Sequence, residues 1–232
     1  MILCIETSSK VCSVSICNDN EILFNKENHD GLKHAEQLPL FVQEALQFCR
    51  QQKINLQAIA VSSGPGSYTG LRIGVSTAKG LCFGLNLPLI AIGTVRIMAD
   101  SVQQFVAQQS NANNTLLCPM LDARRMEVYT ALIDTKNNII EPEHAKIIDE
   151  NSFSHQLSNQ TIYFFGDGMD KCKPLLSTSI NAQFVENIFP LAKNMGSLAK
   201  QAYDNQQFEN VAYYEPFYLK DFIATTPKKQ CF

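Results

Sequence analysis

The segment from Ala58 to Leu85 constrains the fold more than any other part of the sequence. An apolar stretch at 58–63 is followed by the glycine-rich loop Gly64-Pro-Gly-Ser-Tyr-Thr-Gly70. After the loop, apolar residues recur at spacings of three and four, which is typical of an amphipathic helix; they are Leu71, Val75, Ala78, Cys82 and Leu85. The order of strand, glycine loop and helix predicts an α/β protein in which helices connect the strands of a sheet.

The rest of the chain extends this pattern into two lobes, each a sheet flanked by helices. Apolar runs and alternating stretches predict strands, and amphipathic spacing predicts helices. In chain order we expect a strand within 1–9, strands at 11–17 and 21–27, a helix at 33–50, the segment above, a strand at 88–92, a helix at 95–106, a polar break at 108–114, strands at 116–121, 126–133 and 162–165, and a helix at 191–203. We place the lobe boundary at the polar break, which gives a first lobe of 1–107 and a second of 108–232. The helix near 191–203 can pack back on the first lobe.

Composition excludes several classes of protein. With 45% hydrophobic and 18% charged residues, the 232-residue chain has the composition of a folded globular protein. The formal net charge of -3 argues against unaided binding to a phosphate backbone. The apolar runs are too short and too often interrupted to span a bilayer. The eight cysteines lie mostly among apolar residues, and none has C-x-x-C spacing. We therefore expect no membrane segment and a reducing, cytoplasmic location.

The glycine loop allows two interpretations. A loop that enters a helix presents free N–H groups, which suit a bound phosphate. A P-loop, however, requires Gly-Lys-Ser/Thr at the helix entrance, and this chain has Thr69-Gly70-Leu71. Glycines also let another backbone approach the helix closely. We favour close packing or contact with a partner over anion binding.

Two polar clusters are candidates for nucleotide contact. Glu6 ends the first predicted strand beside Thr7 and Ser8, and ligand sites of α/β sheets open at strand ends. A carboxylate at this place could face a metal-bound phosphate. Gly166 and Gly168 flank an aspartate after a later strand, where a plain turn is the simpler interpretation and nucleotide contact the alternative.

Four charged residues are candidates for ionic contact with a partner. Glu36 follows a histidine at the start of the first long helix, where a carboxylate that complements the helix dipole is the simpler explanation. Asp122, Arg124 and Arg125 lie between two predicted strands. They either form a solvated turn or make an ionic contact, and the sequence leaves both open.

Five segments carry a resemblance to a known family. They are Ile2-Leu-Cys-Ile-Glu-Thr-Ser8, His34-Ala-Glu-Gln-Leu38, Ser63-Gly-Pro-Gly-Ser-Tyr-Thr-Gly-Leu-Arg-Ile-Gly74, the stretch from Leu121 to Tyr129, and Pro216-Phe-Tyr-Leu219. In this order and over nearly the whole chain, they resemble the bacterial TsaB family, also called YeaZ.

The resemblance implies a two-lobed actin-like (ASKHA, ribonuclease H-like) fold and a non-catalytic role. Members of the family support the paralogue TsaD and the ATPase TsaE, which make N6-threonylcarbamoyladenosine at position 37 of tRNAs that decode codons beginning with A. The resemblance further implies a heterodimer with TsaD, a homodimer when the protein is alone, and contact with tRNA only through the complex. ATP and metal would act on the partner subunits, so we expect no cofactor and no activity of this chain by itself.

The resemblance also gives the glycine-lined helix a function. We predict that the helices at 33–50 and 70–85 build a four-helix contact across the dimer, formed through the first lobe. The expected interface residues are Leu38, Val42, Gly70, Leu71, Gly74, Val75, Ala78 and Cys82.

Two other functions remain as alternatives. One is an autonomous actin-like ATPase or kinase, which the fold would allow. Glu6 disfavours it, because actin-like ATPases usually place an aspartate there and magnesium tolerates little displacement of its ligands. The other is a peptidase, but Ser67 lacks the G-x-S-x-G frame of a serine nucleophile and no matching base is evident.

Overall fold

A computed structural model of the chain describes residues 1–31, 33–109 and 114–219. Most of the predicted polar break, together with the basic tail that carries Cys231, lies outside the described residues. The first half contains β1 (Ile2–Glu6), β2 (Cys12–Asn18), β3 (Glu21–Asn28), α1 (His34–Gln52), β4 (Ala58–Ser62), α2 (Tyr68–Leu85), β5 (Leu89–Ile92) and α3 (Thr94–Gln109). The second half contains β6 (Thr115–Asp122), β7 (Glu127–Asp134), β8 (Ile139–Ile147), α4 (Ser154–Leu157), β9 (Thr161–Phe165), α5 (Met169–Leu176), β10 (Ala182–Val185), a 3-10 turn (Ala192–Met195) and α6 (Gly196–Asp204).

The two halves build sheets of the same topology. The first sheet has the strand order β3-β2-β1-β4-β5, and the second has the equivalent order β8-β7-β6-β9-β10. In each sheet the three hairpin-connected strands pair antiparallel, and the last two join in parallel. The predicted fold class, α/β with two lobes of mixed sheets flanked by helices, is confirmed.

Helices α1 and α2 cover one face of the first sheet. The apolar stripes of both helices enter one core with Leu3 and Val61 of the central strands. Helix α2 begins at a capped turn in which Ser67 Oγ accepts a hydrogen bond from the N–H of Gly70, at 3.2 Å. Both helices end at a residue in the left-handed conformation, Lys53 after α1 and Asn86 after α2. These local signals fix the helix bounds close to those predicted.

The lobes exchange helices across the polar break. Helix α3 follows the first sheet but packs on the second, where Val95, Met98 and Val102 join the core of Ile133. Helix α6 follows the second sheet and packs on the first, where Ala199 and its neighbours join Cys4 and Ala60. These two cores therefore depend on residues from both halves of the sequence.

The described cysteines and helices add two observations. Cysteines 4, 12, 17, 49, 82, 118 and 172 are all free thiols buried in the protein. Within residues 1–31, 33–109 and 114–219, no helix combines the length and the apolar character needed to cross a membrane.

Candidate functional site

The carboxyl group of Glu6 is used inside its own turn. Glu6 is fully buried at the end of β1, and its Oε1 accepts a hydrogen bond from the N–H of Ser8 at 2.5 Å. Burial raises the pKa of Glu6 to about 7, although hydrogen bonds from Ser8, Ser62 and Thr7 act in the opposite direction. A magnesium-bound phosphate would need an ionised carboxylate that faces open space. Glu6 does not fit that requirement, because its carboxyl group is fully buried and, with a pKa of about 7, is protonated in a fraction of the molecules at neutral pH.

Thr7 explains the first glycines of α2. Its Oγ1 donates a hydrogen bond to the carbonyl oxygen of Gly70 at 2.8 Å. A Cβ added at Gly70 would lie 2.1 Å from the carbonyl oxygen of Thr7, and one at Gly74 would lie 2.2 Å from Thr7 Oγ1. Any larger side chain would push the helix away from the turn. These two glycines therefore serve close packing within the lobe, and their contact with a partner stays a prediction.

The other predicted interface residues are buried in the same lobe. All six are at most 7% exposed in the isolated chain; they are Leu38, Val42, Leu71, Val75, Ala78 and Cys82. The spacing of three and four marks the face of each helix that the first sheet covers. These side chains therefore stabilise the packing of the helices on the chain's own sheet, and their contact with a partner stays a prediction.

The two helices also form a groove on their outer surface, beside the buried stripes. We call it the α1–α2 groove; it encloses about 510 Å³ and is lined by Pro39, Val42, Gln43, Leu46, Gln47, Arg50, Thr77, Gly80 and Leu81. On the same two helices Leu40 is 52% exposed and Phe83 is 89% exposed. A Cβ added at Gly80 meets nothing within 4 Å. The lobe thus presents a partly apolar face that its own core does not require.

The second glycine cluster also serves internal packing. Gly166 has a positive φ of 109°, and a Cβ there would lie 2.3 Å from the carbonyl oxygen of Met120. A Cβ at Gly168 would lie 2.9 Å from Val128 Cγ1. Asp167 Oδ1 accepts a hydrogen bond from the N–H of Asp122 at 3.0 Å, and burial raises the pKa of Asp167. The simpler interpretation, a turn that packs on the β6–β7 connection, explains these contacts.

The two clusters lie on one side of the molecule. Lys10, in the turn after β1, lies over the ring of Phe189 at 4.7 Å from its centroid. The same ammonium is near enough to Asp167 to lower the pKa of that carboxyl, against the effect of burial. The ends of β1 and β9 are therefore neighbours across the two lobes, although the glycine pair and the Glu6 turn each have a packing role.

Of the four predicted ionic residues, Asp122 is bonded within its own turn and the other three are exposed. Asp122 belongs to the turn, since its Oδ1 accepts the N–H of Arg124 at 3.1 Å and contacts Lys171 Nζ. Arg124 and Arg125 are exposed. Glu36 is exposed in the first turn of α1, where it complements the helix dipole.

The segment that follows α6 lies against the glycine loop. The stretch 205–219 runs back over the first lobe, where the N–H of Phe217 donates to the carbonyl oxygen of Ser63 at 2.7 Å. Lys79 Nζ holds the stretch from α2 by donating to the carbonyl oxygens of Ala212 and Tyr214, each at 3.1 Å. The tyrosine-rich composition of 213–219 was the available signal. The segment fixes the glycine loop from outside.

Candidate metal ligands do not cluster in the part of the chain that the structure describes. There, no three or more His, Cys, Asp or Glu side chains come together in an arrangement that could hold a metal ion.

Comparison with known proteins points to one group. The profile of the family described as tRNA N6-adenosine threonylcarbamoyltransferase (TsaD) matches residues 28–228. The tRNA threonylcarbamoyladenosine biosynthesis protein TsaB of Escherichia coli (strain K12) is 30% identical over 229 residues, which cover 96% of either chain. TsaB of Bacillus subtilis (strain 168) is 26% identical over 86% of this chain and 81% of its own. The solved structure of YeaZ from Pseudomonas aeruginosa has the same fold, with a TM-score of 0.73 and 21% identity over 94% of this chain and 99% of that one.

Proposed function

The chain belongs to the TsaB (YeaZ) family, and we propose that it is the non-catalytic partner of the TsaD transferase in forming N6-threonylcarbamoyladenosine at position 37 of tRNAs that decode codons beginning with A. Its fold is the two-lobed actin-like fold. A role in forming this nucleoside follows from the name of its relative of 30% identity in Escherichia coli. The match to the TsaD profile supports a paralogous pair, since paired subunits of one fold commonly dock through equivalent faces.

The observation that carries the proposal is the α1–α2 groove. Its lining combines aliphatic side chains such as Leu46 and Leu81 with polar rim residues such as Gln43 and Arg50, a composition typical of an interface between subunits. Gly80 leaves room for an approaching helix. We assign the four-helix contact with TsaD to this groove, with about 800 Å² buried per partner. A second copy of the chain would use the same face when TsaD is absent.

The environment of Glu6 supports the proposal that this chain is the non-catalytic subunit. Its burial and its raised pKa leave the end of β1 without the accessible carboxylate that a magnesium nucleotide would need. In this proposal the chain has no cofactor of its own, TsaD and the ATPase TsaE supply the metal and ATP, and tRNA is modified on the assembled complex. The free thiols in the described part of the chain are buried, which agrees with a reducing, cytoplasmic setting.

The test is a substitution that adds charge to the groove without disturbing the core. Gly80→Glu projects into open space and replaces glycine by a better helix former, so the fold should persist. Burying the new carboxylate against TsaD should weaken copurification of the two proteins at least about tenfold, because an unpaired charge in an interface is costly. Ile180→Glu is the matched control, since Ile180 is exposed on the second lobe; it should leave the complex unchanged.

The assay is size-exclusion chromatography of the mixed subunits, followed by modification of a tRNA transcript. An unweakened complex with the Gly80→Glu variant would place the interface elsewhere. If TsaD and TsaE modified the transcript equally well without the wild-type chain, the proposed function itself would be wrong.

The alternative of an autonomous ATPase or kinase has its own test. Calorimetric titration of the purified chain with ATP and magnesium should give no binding heat and no turnover. Tight binding with hydrolysis would favour the alternative and would contradict our interpretation of Glu6.

A further inference from the structure

The connection between β6 and β7 places two arginines in an unfavourable backbone conformation. Arg124 has a φ of 70° and Arg125 a φ of 49°. Among the residues described, no other two successive non-glycine residues have positive φ. Residues in the left-handed region are normally glycine or asparagine, because a Cβ is disfavoured there. The other hairpin of the second lobe follows that rule, with Asn137 at its left-handed position.

The base of the turn is fully engaged within the chain. Asp122 Oδ1 accepts the N–H of Arg124 and contacts Lys171 Nζ, and the N–H of Glu127 donates to the carbonyl oxygen of Arg124 at 3.1 Å. Asp167 accepts the N–H of Asp122. The nearby carboxylates Asp122 and Asp167 are thus occupied with backbone N–H groups and Lys171.

The two guanidinium groups have no such engagement. Both side chains are exposed, and within the described part of the chain neither makes an ion pair or a side-chain hydrogen bond. A turn that accepts backbone strain at two positions, and gains no internal contact from either side chain, indicates that the side chains act on something outside the chain. Their planar forks match phosphate oxygens in two-point geometry.

We propose that the Arg124–Arg125 turn contacts the phosphate backbone of the RNA substrate directly. The inference rests on the proposed function, which makes a tRNA the substrate of the complex. A chain of net charge -3 repels a polyanion overall, so contact requires a local pair of cations that no carboxylate neutralises. Arg124 and Arg125 are such a pair, because both are exposed and their turn is held by Asp122 and Lys171.

The test replaces the arginines by the residues that the turn geometry prefers. In the double variant Arg124→Asn and Arg125→Gly, the backbone strain is relieved, and the melting temperature should rise by about 3 °C. Binding of the assembled complex to an unmodified tRNA transcript should weaken about tenfold at low salt. The slope of log affinity against log salt should fall in magnitude by about 1.5, because two phosphate contacts are lost.

The control removes two positive charges elsewhere. Lys53→Gly with Lys136→Asn gives the same net charge, and it also relaxes one left-handed position, at Lys53. This variant should bind the transcript like the wild type. Binding is measured by fluorescence anisotropy, and assembly with TsaD by size exclusion.

Three outcomes would overturn the inference. If the arginine variant assembles with TsaD and binds the transcript with unchanged affinity and salt slope, the turn does not touch RNA, while the proposed function stands. If the variant instead loses TsaD, the arginines contact acidic groups of the protein partner. If the wild-type chain neither binds TsaD nor supports modification, the proposed function fails, and the inference that rests on it fails too.

Discussion

The two halves of helix α2 carry glycines for opposite reasons. In the first half, Gly70 and Gly74 lie against Thr7, and a Cβ at either place would come within 2.2 Å of an oxygen atom. In the second half, Gly80 and Gly84 are exposed, and a Cβ at either place meets nothing within 4 Å. A glycine in the middle of a helix destabilises it by about 0.5–1 kcal/mol relative to alanine. The first pair is therefore explained by the lobe itself, and the second pair is not.

The contrast divides α2 into a half that packs inside the lobe and a half that stays exposed. The first half of α2 fastens the helix to the turn after β1, and the second half leaves a bare surface beside the α1–α2 groove. The same sequence signal, glycine at spacings of four to six, thus has two causes. The same substitution, glycine to alanine, should therefore lower the free energy of unfolding in the first half of α2 and raise it in the second half.

The largest effect should come from Gly70→Ala. The added methyl group would meet the carbonyl oxygen of Thr7, and a backbone atom in a buried strand end moves only at a cost. We expect the free energy of unfolding to fall by about 2–3 kcal/mol, as is typical of overpacking in a core. Urea denaturation measures the loss. Wild-type stability in this variant would show that the turn and α2 are not in close contact.

A second effect concerns Glu6, in the turn on which the first half of α2 rests. Its pKa is about 7 in the folded chain, against an ordinary value of 4.5. The folded state therefore binds this proton more tightly than the unfolded state does. The contribution of the proton to the free energy of unfolding is complete below about pH 4.5 and is lost as the pH rises through about 7. Between pH 5 and pH 8 the wild type should lose about 2–3 kcal/mol more than Glu6→Gln, which keeps a neutral acceptor for Ser8.

The measurement is urea denaturation of both proteins across that pH range. Asp100 and Asp167 also have raised pKa values because of burial, so only the difference between the two proteins reports on Glu6. Parallel pH curves would mean that the Glu6 carboxyl group is ionised in the folded chain at pH 5.

The smallest effect should come from Gly84→Ala, the mirror of the first substitution. The methyl group enters open space, and the helix gains propensity, so the free energy of unfolding should rise by about 0.5–1 kcal/mol. The same urea titration detects the gain. A loss instead would reveal that the second half of α2 is as tightly enclosed as the first.

The sequence predicts most of the elements but not which face of α2 is covered. Leu71, Val75, Ala78 and Cys82 define the helix correctly, because periodicity depends only on local geometry. The same periodicity arises whether a stripe packs on its own sheet or on another subunit. Periodicity alone therefore does not show which side of α2 is exposed, and the exposed surface around Gly80 is identified only from the tertiary structure.

Other misses have local causes. Strand β10 and helix α5 are short, with four and eight residues, and α5 contains Pro174, so neither has a clear period. The turn at Arg124 gave no warning of its left-handed backbone, since arginine is not a typical residue there. The raised pKa of Glu6 depends on burial by elements distant in sequence. The sequence correctly places Glu6 at the end of a strand, but the burial of its side chain is known only from the tertiary structure.

The exchange of α3 and α6 between the lobes has a consequence for biosynthesis. As the chain emerges from the ribosome, the first sheet can pair its strands early, yet the face that carries Cys4 and Ala60 stays bare until Ala202 has been translated. An apolar surface left uncovered for so long is a target for chaperones and a source of aggregation. A premature stop near residue 190 would therefore ruin the amino-terminal lobe, even though every strand of that lobe had already been made.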